Sequence, residues 1–341
     1  MDRCLALTVR TSFSLLVIGA AGLPFAIGPA VAQVPEALPL ELEAKIPLGE
    51  IRGRIDHLAF DSKRQRIFVA ELENGSVGIV DPNRRRVVGT ISGLKEPQGV
   101  AYVPSTDMLY VASGGDGSVR LFQAEDYAVA GQIDLGEDAD NIRVDAATDR
   151  VLVGYGRGAL AIIDTGTRAK IAEVPLRAHP ESFQLAPTSN RVFINLPQMR
   201  EIAVVDLAAN KQVATWPMDS GGNFAMTLDL EAARVLVAFR NPAGLGAFSM
   251  RQGDAVGTAE ACGDADDLFL DGRRHRIYIS CGAGFVDVID KQADKYKRLA
   301  HIPTAPGGRT SLFVPAMDRL FVAVPESQRQ PAELWVFRPA P

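Results

Sequence analysis

Four short segments carry the side chains best suited to chemistry: Arg54-Ile55-Asp56-His57, Asp138-Ala139-Asp140-Asn141, His179-Pro180-Glu181-Ser182 and Asp264-Ala265-Asp266-Asp267. Each places a carboxylate third, so Asp56, Asp140, Glu181 and Asp266 are candidates for one shared site. Carboxylates and carbonyls converging on one point suit a hard cation such as calcium, with Asp140, Glu181 and Asp266 as the candidate ligands. The same group suits a cationic organic ligand. His57 and His179 stand among them, and a histidine beside carboxylates can act as general base toward a metal-activated water. A structural reading competes, because Asp and Glu in loops commonly accept backbone N–H groups and hold turns.

Whether these side chains meet depends on the elements that carry them. Taking Arg276-Ile277-Tyr278-Ile279 as a template, the chain repeats it at Arg66-Ile67-Phe68-Val69, Met108-Leu109-Tyr110-Val111, Arg150-Val151-Leu152-Val153, Arg191-Val192-Phe193-Ile194, Arg234-Val235-Leu236-Val237 and Arg319-Leu320-Phe321-Val322. Seven copies at a spacing of 41–43 residues, each with several short β-rich runs, predict propeller blades rather than a helical solenoid. Runs such as Leu160-Ala161-Ile162-Ile163 are apolar throughout, as expected of strands buried on both faces. The fourth run of each copy, such as Arg84 to Ile91, is charged and belongs on the rim, where Lys and Arg discourage edge pairing. The seventh copy stops after three strands, and Glu43 to Leu48 looks like the fourth-strand segment Ile171 to Leu176. The expected fold is therefore all-β: a seven-bladed β-propeller of four-stranded antiparallel blades, its ring closed by the N-terminal strand.

In such a ring the segments leading into the inner strands share one face, around the mouth of the central channel. Glu96-Pro97-Gln98-Gly99, Gly222-Asn223-Phe224 and Gly307-Gly308-Arg309-Thr310 complete the set of seven. The mouth is then expected to be acidic, with Arg54 and Arg309 as its cationic exceptions. The ligand-binding candidates are Arg54, Asp56, His57, Gln98, Asp138, Asp140, Asn141, His179, Glu181, Asn223, Asp264, Asp266, Asp267 and Arg309.

The seven copies, the second strand reading Tyr110-Val111-Ala112-Ser113 and third strands ending on Asp resemble the bacterial YVTN-repeat propellers, the YncE-like exported proteins. The likeness covers about residues 40–338. It implies a propeller and an exported protein; such propellers bind proteins, DNA or small molecules. The function expected here is a binding module for a small molecule or a periplasmic protein. The alternative is a metal-dependent hydrolase of the lactonase kind, with calcium held by carboxylates at the mouth. The Trp-Asp and Gly-His marks of WD40 repeats are absent.

At the N-terminus, Arg3 and Arg10 precede an apolar run from Phe13 to Ile27, and Ala30-Val31-Ala32 offers a signal-peptidase site. Residues 1–32 are read as a signal peptide and 33–341 as one propeller domain, giving a periplasmic or secreted monomer with no membrane span. The net charge of −5 is spread along the chain without a Lys/Arg stripe, which argues against a nucleic-acid partner. Cys262 and Cys281 fall at the same end of one hairpin and are expected to pair in an oxidising compartment. There is no Gly-x-Ser-x-Gly elbow, no phosphate loop, no His-Glu-x-x-His and no haem-attachment motif.

Overall fold

Within each repeat the side chains dictate which strand lies where. In the first, Arg66–Glu71 is buried at every position but its first, Ser76–Asp81 is buried throughout, and Arg86–Ser92 alternates exposed residues with half-buried ones and the buried Ile91. A strand buried on both faces needs a layer above and below it. The computed structural model, which describes residues 8–15 and, Thr188 aside, 38–341, supplies those layers by packing seven four-stranded antiparallel sheets around an axis. The blades run over residues 58–92, 97–134, 139–175, 183–217, 221–259, 265–303 and 310–339. Apolar clusters join neighbours: Phe68, Ile79, Val100 and Leu109 fill the space between blades 1 and 2, and Ile67, Val69, Phe321 and Leu334 that between blades 1 and 7.

Blade 7 has only three strands of its own. Its fourth is Leu40–Gly49, antiparallel to the last strand, Ala332–Pro339, with Leu40 opposite Pro339 and Ile46 opposite Leu334. The observed strand is longer than the Glu43–Leu48 segment read from the sequence, because pairing continues to the end of the last strand. Pairing the first strand with the last closes the ring.

Residues 8–15 have no regular secondary structure. Most of the apolar run ending at Ile27, and the cleavage site after Ala32, lie outside the described residues. No helix among the described residues is long and apolar enough to cross a membrane.

On the face opposite the mouth, arginines clasp adjacent blades. Arg64 bonds Asp61 of its own turn at 3.0 Å and grips Asp107 of blade 2 with two bonds of 2.7 Å. Arg274 repeats the arrangement with Asp271 at 2.9 Å and Asp318 of blade 7 at 2.6 and 2.7 Å. Two-pronged guanidinium–carboxylate pairs fix orientation as well as distance.

Cys262 and Cys281 form a disulfide with Cα atoms 5.9 Å apart, tying the segment before blade 6 to the end of that blade's second strand. Closing a loop with a sequence separation of 19 is expected to stabilise by about 3 kcal/mol through the unfolded chain. Replacing both cysteines by alanine should lower the thermal midpoint, and adding reductant to the wild type should reproduce the shift. Melts that coincide with and without reductant contradict this.

Candidate functional site

The segments leading into the inner strands share a local conformation. Glu96, Asp138, Gly222, Asp264 and Gly307 all have positive φ, from 42° to 83°, a region that Gly, Asp and Asn tolerate best. Their carbonyls accept equivalent bonds in three blades: Gly114 N–H to Glu96 at 2.9 Å, Gly156 N–H to Asp138 at 3.0 Å and Gly282 N–H to Asp264 at 2.8 Å. The register then slips by one residue in blades 2, 3, 5 and 6. Such a bulge re-aims side chains, here Gln98, Asp140, Phe224 and Asp266. The first acid of each Asp-Ala-Asp motif is thus a turn residue with its side chain 53% (Asp138) or 41% (Asp264) exposed, whereas Asp140 and Asp266 are about nine-tenths buried.

Asp56, Asp140, Glu181 and Asp266 all act on one guanidinium, that of Arg54, which stands over the mouth and bonds Asp56 directly at 2.8 Å. Burial works against the Arg54 charge, but the four carboxylates outweigh it and hold its pKa above the usual guanidinium value. Asp266 lies between Arg240 at 2.7 Å and Arg309 at 3.2 Å, and Asp264 is shared by the same two arginines at 3.3 and 2.9 Å. Arg240 also stacks its guanidinium 3.6 Å from the centre of the Phe224 ring. His179 approaches Asp140 at 3.5 Å with one nitrogen and bonds the Gly156 carbonyl at 2.6 Å with the other. His57 sits between Asp56 at 3.7 Å and Asp267 at 3.8 Å, and Asp267 accepts the Ser311 N–H at 2.7 Å.

Two candidates from the sequence serve other contacts. Asn223 is fully buried, bonding the Asn195 side chain at 3.2 Å and the Glu201 carbonyl at 2.9 Å. The Gln98 amide donates to Asp138 at 3.2 Å. The sequence reading missed Arg240, which adds a third arginine to the expected Arg54 and Arg309. It is the last residue but one of the second strand of blade 5, Arg234–Asn241, where the sister positions hold Leu72, Gly114, Gly156, Pro197, Gly282 and Pro325. The only charged residue in that column of the repeat was the available signal.

Most carboxylates of the mouth stand beside a cation. Burial opposes protonation of His57, yet Asp56 and Asp267 push its pKa up to about 10. A protonated imidazole needs acceptors on both nitrogens. Asn141 Nδ2 lies 3.1 Å from its Nε2, and rotating that amide by half a turn would present Oδ1, a buried oxygen with no partner as it stands, to a protonated ring. Burial likewise opposes charge on His179, but Asp140 raises it to about 9. The Asp140 carboxyl stays low, its burial outweighed by His179 and His57. The Asp266 carboxyl is pushed up to about 6, first by burial, with Arg240 pulling back and Asp56 adding to the rise.

The Asp140–His179 pair makes stability depend on alkaline pH. A histidine raised in the folded state contributes stability fully present below its unfolded value near 6.5 and lost as pH rises through about 9. The thermal midpoint of the wild type is therefore expected to fall between neutrality and about pH 9 by more than that of His179→Gln. Parallel curves for the two proteins contradict the pairing.

Glu181 differs from the other three carboxylates. Among the described residues no cation lies within ion-pair distance of it, and its side chain makes no hydrogen bond. Burial, then the neighbouring Asp140, push its carboxyl up to about 7, with His179 and Arg240 pulling back and Asp266 adding to the rise. It faces a cavity of about 570 Å3 whose charged lining is Glu137, Asp138, Asp140 and Glu181 against Arg157 and His179. Among the described residues no group of three or more His, Cys, Asp or Glu side chains is placed to hold a metal ion. Of the three acids expected to hold a cation, Asp266 has Arg240 and Arg309 beside it and Asp140 has His179.

Comparison with protein-family descriptions finds no match, and none of the curated proteins matches either. Solved structures do match. One is a chain in a crystal structure of the mitotic checkpoint complex, with 12% identity and a TM-score of 0.76 over 94% of this chain and 99% of that one. Another is the hydrazine synthase of Kuenenia stuttgartiensis, with 16% identity and a TM-score of 0.70 over 81% of this chain and 93% of that one. At these identities the likeness is one of fold, a scaffold that hosts unrelated functions.

Proposed function

We propose that this protein is an exported binding module of the YVTN-repeat kind, and that its mouth takes a small cationic ligand, an amine, with the ammonium on Glu181. The observation that carries the reading is Glu181 itself, a half-buried carboxylate facing the 570 Å3 cavity with no cation within ion-pair distance among the described residues, while the cavity lining holds four acids against two cations. A carboxylate partly withdrawn from water without a partner loses hydration that a bound ammonium offsets. The cavity falls in the range of about 300–1,000 Å3 used by small-molecule sites, and the propeller commonly serves as a binding scaffold. The Arg and His residues around Asp56, Asp140 and Asp266 hold the rest of the mouth rigid, so the site is formed before the ligand arrives.

A thermal-shift panel tests this: a diamine, a neutral sugar and an organic acid of similar size, each against the wild type and Glu181→Gln. The diamine should raise the midpoint of the wild type and leave Glu181→Gln unmoved. Equal shifts in both proteins, or none in either, contradict the proposal.

A further inference from the structure

A second cavity, of about 350 Å3, runs along the axis of the ring and is lined by residues from all seven innermost strands. The registers define one position per blade in that lining, and in blade 3 it is Arg143, opposite Leu152 of its neighbouring strand. The six equivalents are Ala59, Ala101, Gln184, Thr227, Phe269 and Leu312, all of which also line the cavity. Only Arg143 is charged. A propeller builds its tunnel readily from neutral residues here, so folding does not require the arginine.

The Arg143 guanidinium donates one hydrogen bond, from Nη1 to the carbonyl of Ile142 at 2.8 Å, and among the described residues no carboxylate lies within ion-pair distance of it. Burial lowers its pKa, with Asp267 and Asp140 opposing from longer range. The side chain is half-buried and its Cζ lies 5.6 Å from the centre of the Phe183 ring, and a guanidinium carries five N–H donors in a planar fork, most of which here have no protein partner and are free to meet an anion in the tunnel. Ser311 Oγ, also in the tunnel lining, is buried with no partner. Across the ring from Arg143 the equivalent positions are the apolar Phe269 and Leu312, with Asp267 and Ser311 of the same two blades also in the lining, and Ala101 on the adjoining blade leaves room beside the guanidinium.

We propose that the tunnel binds a small organic carboxylate, its head group in the Arg143 fork and its short apolar body against Phe269 and Leu312. A planar carboxylate matches the fork with two parallel bonds. The nearby Asp140 and Asp267 disfavour a dianion such as phosphate. This site shares no lining residue with the cavity at Glu181 and stands whether or not an amine binds there.

Calorimetric titration with benzoate tests it, with benzyl alcohol as the neutral counterpart. Benzoate should bind the wild type and the alcohol should not. Arg143→Met should weaken benzoate by about ten- to a hundred-fold, the effect of losing hydrogen bonds to a charged group. Because leucine occupies the equivalent position of blade 7, this variant should fold, which a melting curve verifies. Thr227→Leu narrows the tunnel with the charge intact and should also weaken benzoate. Glu181→Gln should leave benzoate affinity unchanged, separating this site from the mouth. Absence of benzoate binding, equal binding of benzyl alcohol, or full affinity in Arg143→Met overturns the proposal.

Discussion

Removal of residues 38–49 is expected to abolish cooperative folding at physiological temperature. That segment contributes the fourth strand of blade 7 and buries Leu40 and Ile46 completely and Leu48 almost so. Burying an aliphatic side chain stabilises by about 1.5–3 kcal/mol, so the three together approach the whole stability of an ordinary domain, about 5–15 kcal/mol. Deletion also exposes the edge of Ala332–Pro339, a template for pairing with other chains. Ile46→Ala gives a milder form of the same lesion, with an expected loss of about 2–5 kcal/mol in a denaturant melt. A truncated protein that melts like the full chain contradicts closure by this strand.

Lys291→Met is expected to destabilise by about 3–5 kcal/mol. The ammonium lies 2.8 Å from Asp229, and the two side chains are 8% and 2% exposed, so the pair joins blades 5 and 6 inside the protein. Asp229 also accepts the Ala232 N–H at 3.1 Å, which positions the carboxylate but leaves its second oxygen dependent on the lysine. Removing the lysine alone strands a buried negative charge. Removing both, as Asp229→Ala with Lys291→Met, should cost less than the sum of the single changes, since no charge is then left unpaired. Additive losses in urea melts of the four proteins contradict the coupling.

The blades were legible because burial on both faces forces apolar runs of fixed length at a fixed spacing, a signal repeated seven times. The closing strand was legible in part: the likeness of Glu43–Leu48 to a fourth strand marked its centre, but the pairing that extends it to Leu40 depends on where the last strand ends. At the mouth, the repeat located the carboxylates and left their partners hidden. Arg240 reaches Asp266 from the end of a different strand in the preceding blade, a contact that no spacing within the motifs encodes. Asn223 reads as a mouth residue, yet the slip in register puts Phe224 at the inward position and turns Asn223 into the interior. Arg143 stands in an otherwise ordinary strand, and only alignment of the seven inner strands residue by residue separates it from its neutral equivalents.

The amine site at Glu181 is tested most directly by calorimetric titration of a diamine on either side of the titration of that carboxyl, at about pH 6 and about pH 8. Only the ionised carboxylate attracts an ammonium, and Glu181 ionises near pH 7 amid Asp140, Asp266, His179 and Arg240. Affinity for the wild type should therefore rise between the two conditions, and Glu181→Gln should bind weakly at both. Affinity that is the same at both, or that survives in Glu181→Gln, contradicts the assignment of the mouth as a cation-binding site.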